Sequence, residues 1–343
     1  MPPQFGTNFP IVTLVVPNPQ LKLPRTYEWN AAFEQSLGTS QSLSLTYIGG
    51  VGRDLLRTTV LSNPNPDFVN VEVTDNTATS NYQALQAKFQ RRLSQGLQAL
   101  ISYTFSHSID IASTDAYNYL NTPTSVANPN IDRASSDFDI RHAFTAGITY
   151  NLPSPVWNNI AHAALGGWSV DSFIFARSAP PVNVTGGLLV EDGVEFYPRP
   201  NIVPGIPFYL YGSQYPGGKA LNNTANEGGP NCKGPFCPPP AGQQGDFGRN
   251  VLRGFGASQA DLAFQRQFHL TERMQLRFRG EFFNIFNHPN FGPPDNNITD
   301  GLFGLSTATL NNSLGSGGAN GGLNPLYQIG GPRSIQLALK LQF

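Results

Sequence analysis

Long runs in which every second residue is apolar recur along this chain, and they limit it more than any other feature. At the C-terminus Ile335, Leu337, Leu339, Leu341 and Phe343 are apolar, with Ser334, Gln336, Lys340 and Gln342 between them. Such alternation gives a β-strand one apolar flank and one polar flank. Before it, Leu276, Phe278 and Phe282 alternate with Gln275, Arg277, Arg279 and Glu281, and Leu262, Phe264 and Phe268 with Asp261, Gln265 and Gln267. Similar runs span 138–152, 97–105, 85–93, 43–47 and 27–37, with a weaker one over 168–176. The count is about nine strands, most of roughly 10–14 residues, against ~5–6 in globular proteins. A strand of ~12 residues reaches ~40 Å and, tilted by ~40°, covers ~30 Å of bilayer normal.

Composition narrows the choice. The 343 residues include 35 Gly and 29 Pro, which would break helices repeatedly. Charged residues are 13%, against about 25% in ordinary soluble proteins. With 24 Phe the chain is too aromatic for a disordered tail. A net charge of −1 gives no basic surplus for a nucleic-acid partner. Two cysteines exclude a disulfide scaffold and a four-cysteine zinc site. No stretch approaches the ~18 consecutive apolar residues of a membrane helix, and the start has no readable signal peptide.

The connections read alternately long and short. The gaps 287–331, 179–257, 109–136 and 49–80 are long; those at 269–272, 94–95 and 38–41 are short, and 153–166 is moderate. Transmembrane barrels have short periplasmic turns and long extracellular loops. The fold expected is therefore all-β: an antiparallel transmembrane β-barrel segment, with residues 1–26 as a loop or lead-in and 179–257 and 287–331 as large extracellular loops. The loops are rich in Gly, Pro, Asn and Ser, including a glycine tract over 315–322.

Several blocks carry a family resemblance. They include Tyr27-Glu-Trp29-Asn30, Leu45-Thr-Tyr47-Ile-Gly49 followed by Gly52-Arg53, Asn81-Tyr82-Gln-Ala-Leu85-Gln86, and Arg91-Arg92-Leu93-Ser94-Gln95-Gly96-Leu97. Ser102-Tyr103-Thr104-Phe105-Ser106, Ser136-Asp137-Phe138-Asp139-Ile140-Arg141-His142, Gly167-Trp168 and Gly248-Arg249-Asn250 follow in order. Glu281-Phe282-Phe283-Asn284-Ile285-Phe286-Asn287-His288-Pro289-Asn290-Phe291 and Pro332-Arg333 complete the series. Together they resemble the C-terminal barrel of TonB-dependent outer-membrane receptors of the Oar-like branch. The resemblance implies an outer-membrane location of Gram-negative type and uptake of a scarce ligand such as a glycan or siderophore. Family members also carry a signal, a regulatory domain and a plug, which these residues do not match, so the expectation is a C-terminal part of one barrel domain. The implied partners are outer-membrane lipid, the barrel-assembly machinery, for which terminal Phe343 resembles the end signal, and the TonB energising system if a plug is supplied elsewhere.

If Phe343 ends in the periplasm, Lys88, Arg92, Asp139, Arg141, Arg277, Arg279, Glu281 and Lys340 are candidates to line the lumen, where charges need partners or water. Arg91, Arg266 and His142 fall on the lipid flank; both arginines lie near short turns, where a long stem can snorkel. Tyr27, Trp29, Tyr103 and Trp168 lie near strand ends and suit an interfacial aromatic girdle. On the exported reading Cys232 and Cys237 pair as a local disulfide in the longest loop, with two unpaired thiols as the alternative.

Catalytic groupings are weak. The five histidines share no metal-ligand spacing. Asp137 and Asp139 would share a strand face, but adjacent Arg141 suggests a salt network more than acid–base work. No cofactor or enzymatic activity is expected. The rival reading is a secreted β-sandwich adhesin or glycan-binding module with 178–257 as its binding loop, and the weakest is a secreted hydrolase.

Overall fold

The computed structural model describes residues 11–114, 123–124, 128–153, 166–186, 189–191, 194–224, 232–240, 243–313 and 329–343. The glycine tract and His162 lie outside them. In chain order the strands are β1 (Ile11–Pro17), β2 (Arg25–Leu37), β3 (Gln41–Asn65), β4 (Phe68–Ser94), β5 (Leu97–Asp110), β6 (Ala134–Ser135), β7 (His142–Asn151) and β8 (Trp168–Arg177). Short strands follow in the longest loop: β9 (Pro181–Val182), β10 (Leu189–Glu191), β11 (Val194–Phe196), β12 (Asn201–Ile202), β13 (Tyr209–Tyr211), β14 (Lys219–Leu221), β15 (Phe236–Cys237) and β16 (Leu252–Arg253). Three long strands close the chain: β17 (Ala257–His269), β18 (Gln275–Phe283) and β19 (Ser334–Gln342).

Nine strands form one continuous path, β19-β18-β17-β8-β7-β5-β4-β3-β2, and each neighbouring pair is antiparallel. Among the described residues the outer edges of β2 and β19 have no strand beside them. The short turns are tight where the sequence asks for it. Gln95 and Gly96 both have positive φ, the geometry of a two-residue hairpin that follows strand twist. A Cβ at Gly96 would lie 2.6 Å from the Asn151 carbonyl oxygen, so glycine is required there.

The register keeps one flank mostly apolar along the nine-strand path. Leu339 faces Phe278, Leu337 faces Gly280, and Ile335 faces Phe282, which in turn faces Leu262. The row continues through Ser172, Ile148, Ala99 and Arg91. On the far side Tyr103 faces Ala87, Ala87 faces Leu45, and Leu45 faces Phe33. No second layer of protein covers this flank among the described residues: Ile335, Leu337 and Leu339 are 58%, 68% and 67% exposed. An uncovered apolar surface of this extent needs a non-aqueous partner. A β-sandwich would have buried it under a second sheet, so the adhesin reading is overturned on this ground.

Three expectations need correction. The gap 49–80 is no loop: β3 and β4 run on as one long hairpin, with register shifts between Gly52 and Leu55, between Leu55 and Arg57, and between Ser62 and Asn65. Each bulge flips the alternation, which hides the strands from a period-two search. The lead-in over 1–26 contains β1, which pairs in parallel with β4 from Phe68 to Thr74, alongside the part of β4 that β5 does not reach. The run from Phe138 begins as a turn, and the strand starts only at His142.

Candidate functional site

Where the strands leave the sheet, the two large loops fold into one cap. Val182, Val184, Leu221, Phe236, Phe247, Leu252, Ile298 and Phe303 make its own small apolar core. The fully buried Phe236 ring is at its centre, stacked on Phe208 at 5.4 Å and meeting Phe247 and Phe303 edge-on at 5.4 and 5.6 Å. Residues 182–252 and 298–303 contribute side by side, and backbone bonds such as Leu221 N–H to Gly304 O, 3.0 Å, tie the two loops together. Cys232 and Cys237 are disulfide-bonded beside this core, with Cα atoms 5.8 Å apart.

Three arginine–aspartate pins hold the cap to the rim. The Asp132 carboxylate accepts from Arg57 of β3 at 2.7 Å and from Arg199 of the cap at 3.0 Å, so one buried anion joins hairpin and loop. Arg249 pairs with Asp110 at the end of β5 and donates to Ile111 O at 2.7 Å. Arg253 donates to the Asp139 carboxylate at 2.7 Å. Asp139 also accepts from Arg141 at 3.0 Å, His107 Nδ1 at 3.2 Å and the Ser108 N–H at 2.8 Å.

These carboxylates are 1–4% exposed, so their ionisation is decided by partners. Burial pushes the Asp139 carboxyl up, but the Ser108 N–H, Arg253, His107 and Arg141 outweigh it and hold it down to about 2. Burial likewise opposes ionisation of Asp132, and the bonds from Thr124, Arg57 and Arg199 prevail to lower it. Both remain anionic at neutral pH, as paired buried carboxylates must.

The register places the candidate lumen residues as follows. Lys88 faces Ser44 and Ser102 on the flank opposite the apolar one, and Arg92 follows it at the same parity. Arg277 faces Lys340 directly, two like charges on adjacent strands. Arg279 donates to Glu281 at 2.9 Å, to Asp171 at 3.3 Å and to Gln265 at 3.2 Å, and Asp171 accepts from Thr149 Oγ1 at 2.8 Å. A polar belt thus crosses four strands, β7, β8, β17 and β18, on the inner flank. Asp139 and Arg141 do not join it, because they belong to the rim pin. Asp137 and Asp139 share no face: Asp137 is 52% exposed and accepts from Asn250, while Asp139 is buried.

The remaining candidates lie on the apolar flank or at strand ends. Tyr27 and Trp29 are exposed near the start of β2, Trp168 opens β8, and the Tyr103 hydroxyl meets His142 Nδ1 at 2.8 Å. The Trp29 ring covers Gly49 of β3, where a Cβ would lie 2.2 Å from the indole. The guanidinium of Arg266 packs over the Phe268 ring at 4.4 Å and the Trp168 ring at 5.7 Å. Phe343 follows β19 as the exposed last residue.

An uncovered apolar flank, a polar inner flank and a loop cap at one end are the arrangement of a membrane-spanning strand wall. The sequence matches the outer membrane beta barrel domain family over residues 2–336. The chain belongs to that family.

This outer-membrane barrel is similar in fold to the outer membrane transporter YddB from Escherichia coli, with a TM-score of 0.53 at 11% identity over 96% of this chain and 34% of that one. It thus spans about a third of that transporter's length. Further matches are the ferripyoverdine receptor of Pseudomonas aeruginosa (TM-score 0.43, 10% identity, 93% and 27% covered) and the FrpB iron transporter from Neisseria meningitidis (0.43, 12%, 85% and 31%). No curated protein sequence matches it. The family places it in the outer membrane. No helix of the described residues is long and apolar enough to cross a membrane.

Sequence reasoning missed most of the pins. Arg57, Asp110, Asp132, Arg199 and Arg253 were unremarkable singly, and Arg249 stood out only as part of a family block. Their partners lie 67–139 residues away, beyond the reach of any local pattern.

Proposed function

We propose that the chain is the barrel portion of a TonB-dependent outer-membrane receptor that takes up a scarce ligand such as an iron chelate or a glycan. The observation that carries this reading is the pinned cap. A loop pair with its own core, held at one end of a wall whose inner flank is polar, is suited to ligand capture at a mouth leading to an aqueous path. The fold similarity to the outer membrane transporter YddB and the sequence blocks that resemble the Oar-like branch support the same reading. Gating and energising by TonB would come through a plug, and the polar belt around Arg279 is the surface such a plug or a passing ligand meets.

The test is a gene deletion in the source bacterium, scored for uptake of radiolabelled iron chelates and for growth on single glycans. Loss of one ligand class, restored by the intact gene, supports the proposal. Unchanged uptake and growth across both classes would reject it.

A further inference from the structure

Arg177 closes β8 at the cap end, and among the described residues no group receives its guanidinium. Its Nε is shielded from solvent without an acceptor, and the ion pairs of the rim and of the belt leave it out. A partly buried cation without a counter-charge is costly, so an unpaired one calls for an occupant. The unbroken register of β8 puts Arg177 on the inner flank with Asp171, Phe173 and Phe175. Its facing neighbours on β7 and β17 are Ala143 and Ala257, too small to screen it from the lumen. Phe175 and Phe173 follow at ~7 and ~13 Å along the strand, two aromatic positions on a largely polar flank. Phe173 is 43% exposed and faces Gly147, where a Cβ would meet only open space. Thr145 faces Phe175 and adds a hydroxyl.

We infer that this strip binds an acidic oligosaccharide, with a uronate carboxylate on Arg177 and the apolar faces of its sugar rings on Phe175 and Phe173. The planar guanidinium fork matches a carboxylate and has no competing anion of its own. The two phenyl rings present flat apolar surface to the C–H face of a pyranose, and Thr145 offers a partner for its hydroxyls. The open space at Gly147 admits a ring beside Phe173. The strip runs from the cap to the polar belt, along the path a captured ligand takes. The inference rests on the uptake reading and narrows its ligand: between an iron chelate and a glycan it selects the glycan, and it gives that glycan a negative charge.

The test is equilibrium dialysis of the purified full chain in mild detergent, at fixed ionic strength, with radiolabelled trigalacturonate, ferric citrate and maltotriose as probes. The parent should bind trigalacturonate and neither of the others. Arg177→Gln should weaken binding by roughly tenfold or more, and Arg177→Lys, which keeps the charge and loses the fork, by less. Phe173→Ala should also weaken it, and Arg273→Gln, in the exposed β17–β18 turn, should match the parent. Maltotriose bound as tightly as trigalacturonate, ferric citrate bound in its place, no probe bound, or Arg177→Gln equal to the parent overturns the inference. Urea unfolding without sugar gives a second reading. Removal of an unpaired cation should leave Arg177→Gln at least as stable as the parent, and a large loss would show that the fold itself holds the guanidinium, which also overturns the inference. Gene deletion reads uptake separately: uptake lost on deletion, with no trigalacturonate bound, removes this inference and leaves the uptake proposal standing.

Discussion

Arg253 grips Asp139 twice: Nη2 donates to the carboxylate at 2.7 Å and Nη1 to the main-chain carbonyl of the same residue at 2.8 Å, across 114 residues of sequence. The second bond matters as much as the first. It fixes the backbone at the entry to β7, so the cap is tied to the strand that starts there as well as to a side chain.

Breaking this grip should loosen the cap and leave the wall standing. Asp139→Asn leaves Arg253 and Arg141 facing a neutral group, and losing one member of a buried pair costs about 3–5 kcal/mol. Arg253 is partly exposed, so we expect the low end of that range for Arg253→Ala. Pulsed EPR between labels at Val251 and Ser80 should show a broadened distance for either variant. A distribution as narrow as the parent's would mean the pin holds nothing.

Acid should act in the same place. The Asp139 carboxyl is lowered from 3.8 to about 2 in the fold, so its contribution is complete above about pH 4 and is lost as pH falls towards 2. The shift corresponds to about 2 kcal/mol. The cap-to-rim distance should therefore be constant from pH 7 to 4.5 and broaden below about pH 4, and Asp139→Asn should remove that transition. A transition centred near pH 6 would point to a different group.

The two flanks should differ sharply in tolerance. Leu339→Arg puts a charge on the apolar flank and should destabilise folding into vesicles by ~2–4 kcal/mol if it lies near mid-bilayer. Gln336→Arg, on the inner flank of the same strand, should be almost silent. Urea titration of both variants in vesicles decides, and equal losses would contradict the assignment of flanks.

Gly49 should resist substitution although it lies in a strand. A valine there meets the Trp29 indole that covers it, and overpacking of this kind costs about 1–3 kcal/mol. Pairing Gly49→Val with Trp29→Ala should recover part of the loss, because the nearest atoms to the new side chain all belong to that ring. A double variant no more stable than Gly49→Val would show the glycine is needed for its backbone.

Reduction of Cys232–Cys237 should be local. Its loop is short, so the chain-entropy gain is only about 2 kcal/mol, and it sits beside Phe236 in the cap core. Cys232→Ser should raise protease sensitivity in 199–253 and leave heat-dependent gel migration of the wall unchanged. Loss of that migration would give the bond a wider role.

The wall was legible and the cap was not, for one physical reason. A strand facing hydrocarbon on one side and water on the other writes its alternation into consecutive residues, as in 334–343, and β19 begins at Ser334 as the pattern says. The cap is held by contacts between distant residues: Arg199 meets Asp132, and Phe236 meets Phe303, with no periodicity to announce either. The extended β3–β4 hairpin falls between these cases. Its buried side chains include Arg57, Thr58, Thr59, Asn70 and Thr74, so the positions it buries are polar on both faces, and its bulges break the phase. Of the candidate charges, Arg279 and Glu281 were placed together because they are two apart on one strand, whereas Asp171, which joins them, could be found only from the register.

Eight antiparallel steps separate β2 from β19, so these two boundary strands point the same way. Butted directly together they would make a parallel seam in an otherwise antiparallel wall. A ring of uniform pairing needs an odd number of further staves between them, and that parity is a constraint on whatever polypeptide completes the cylinder.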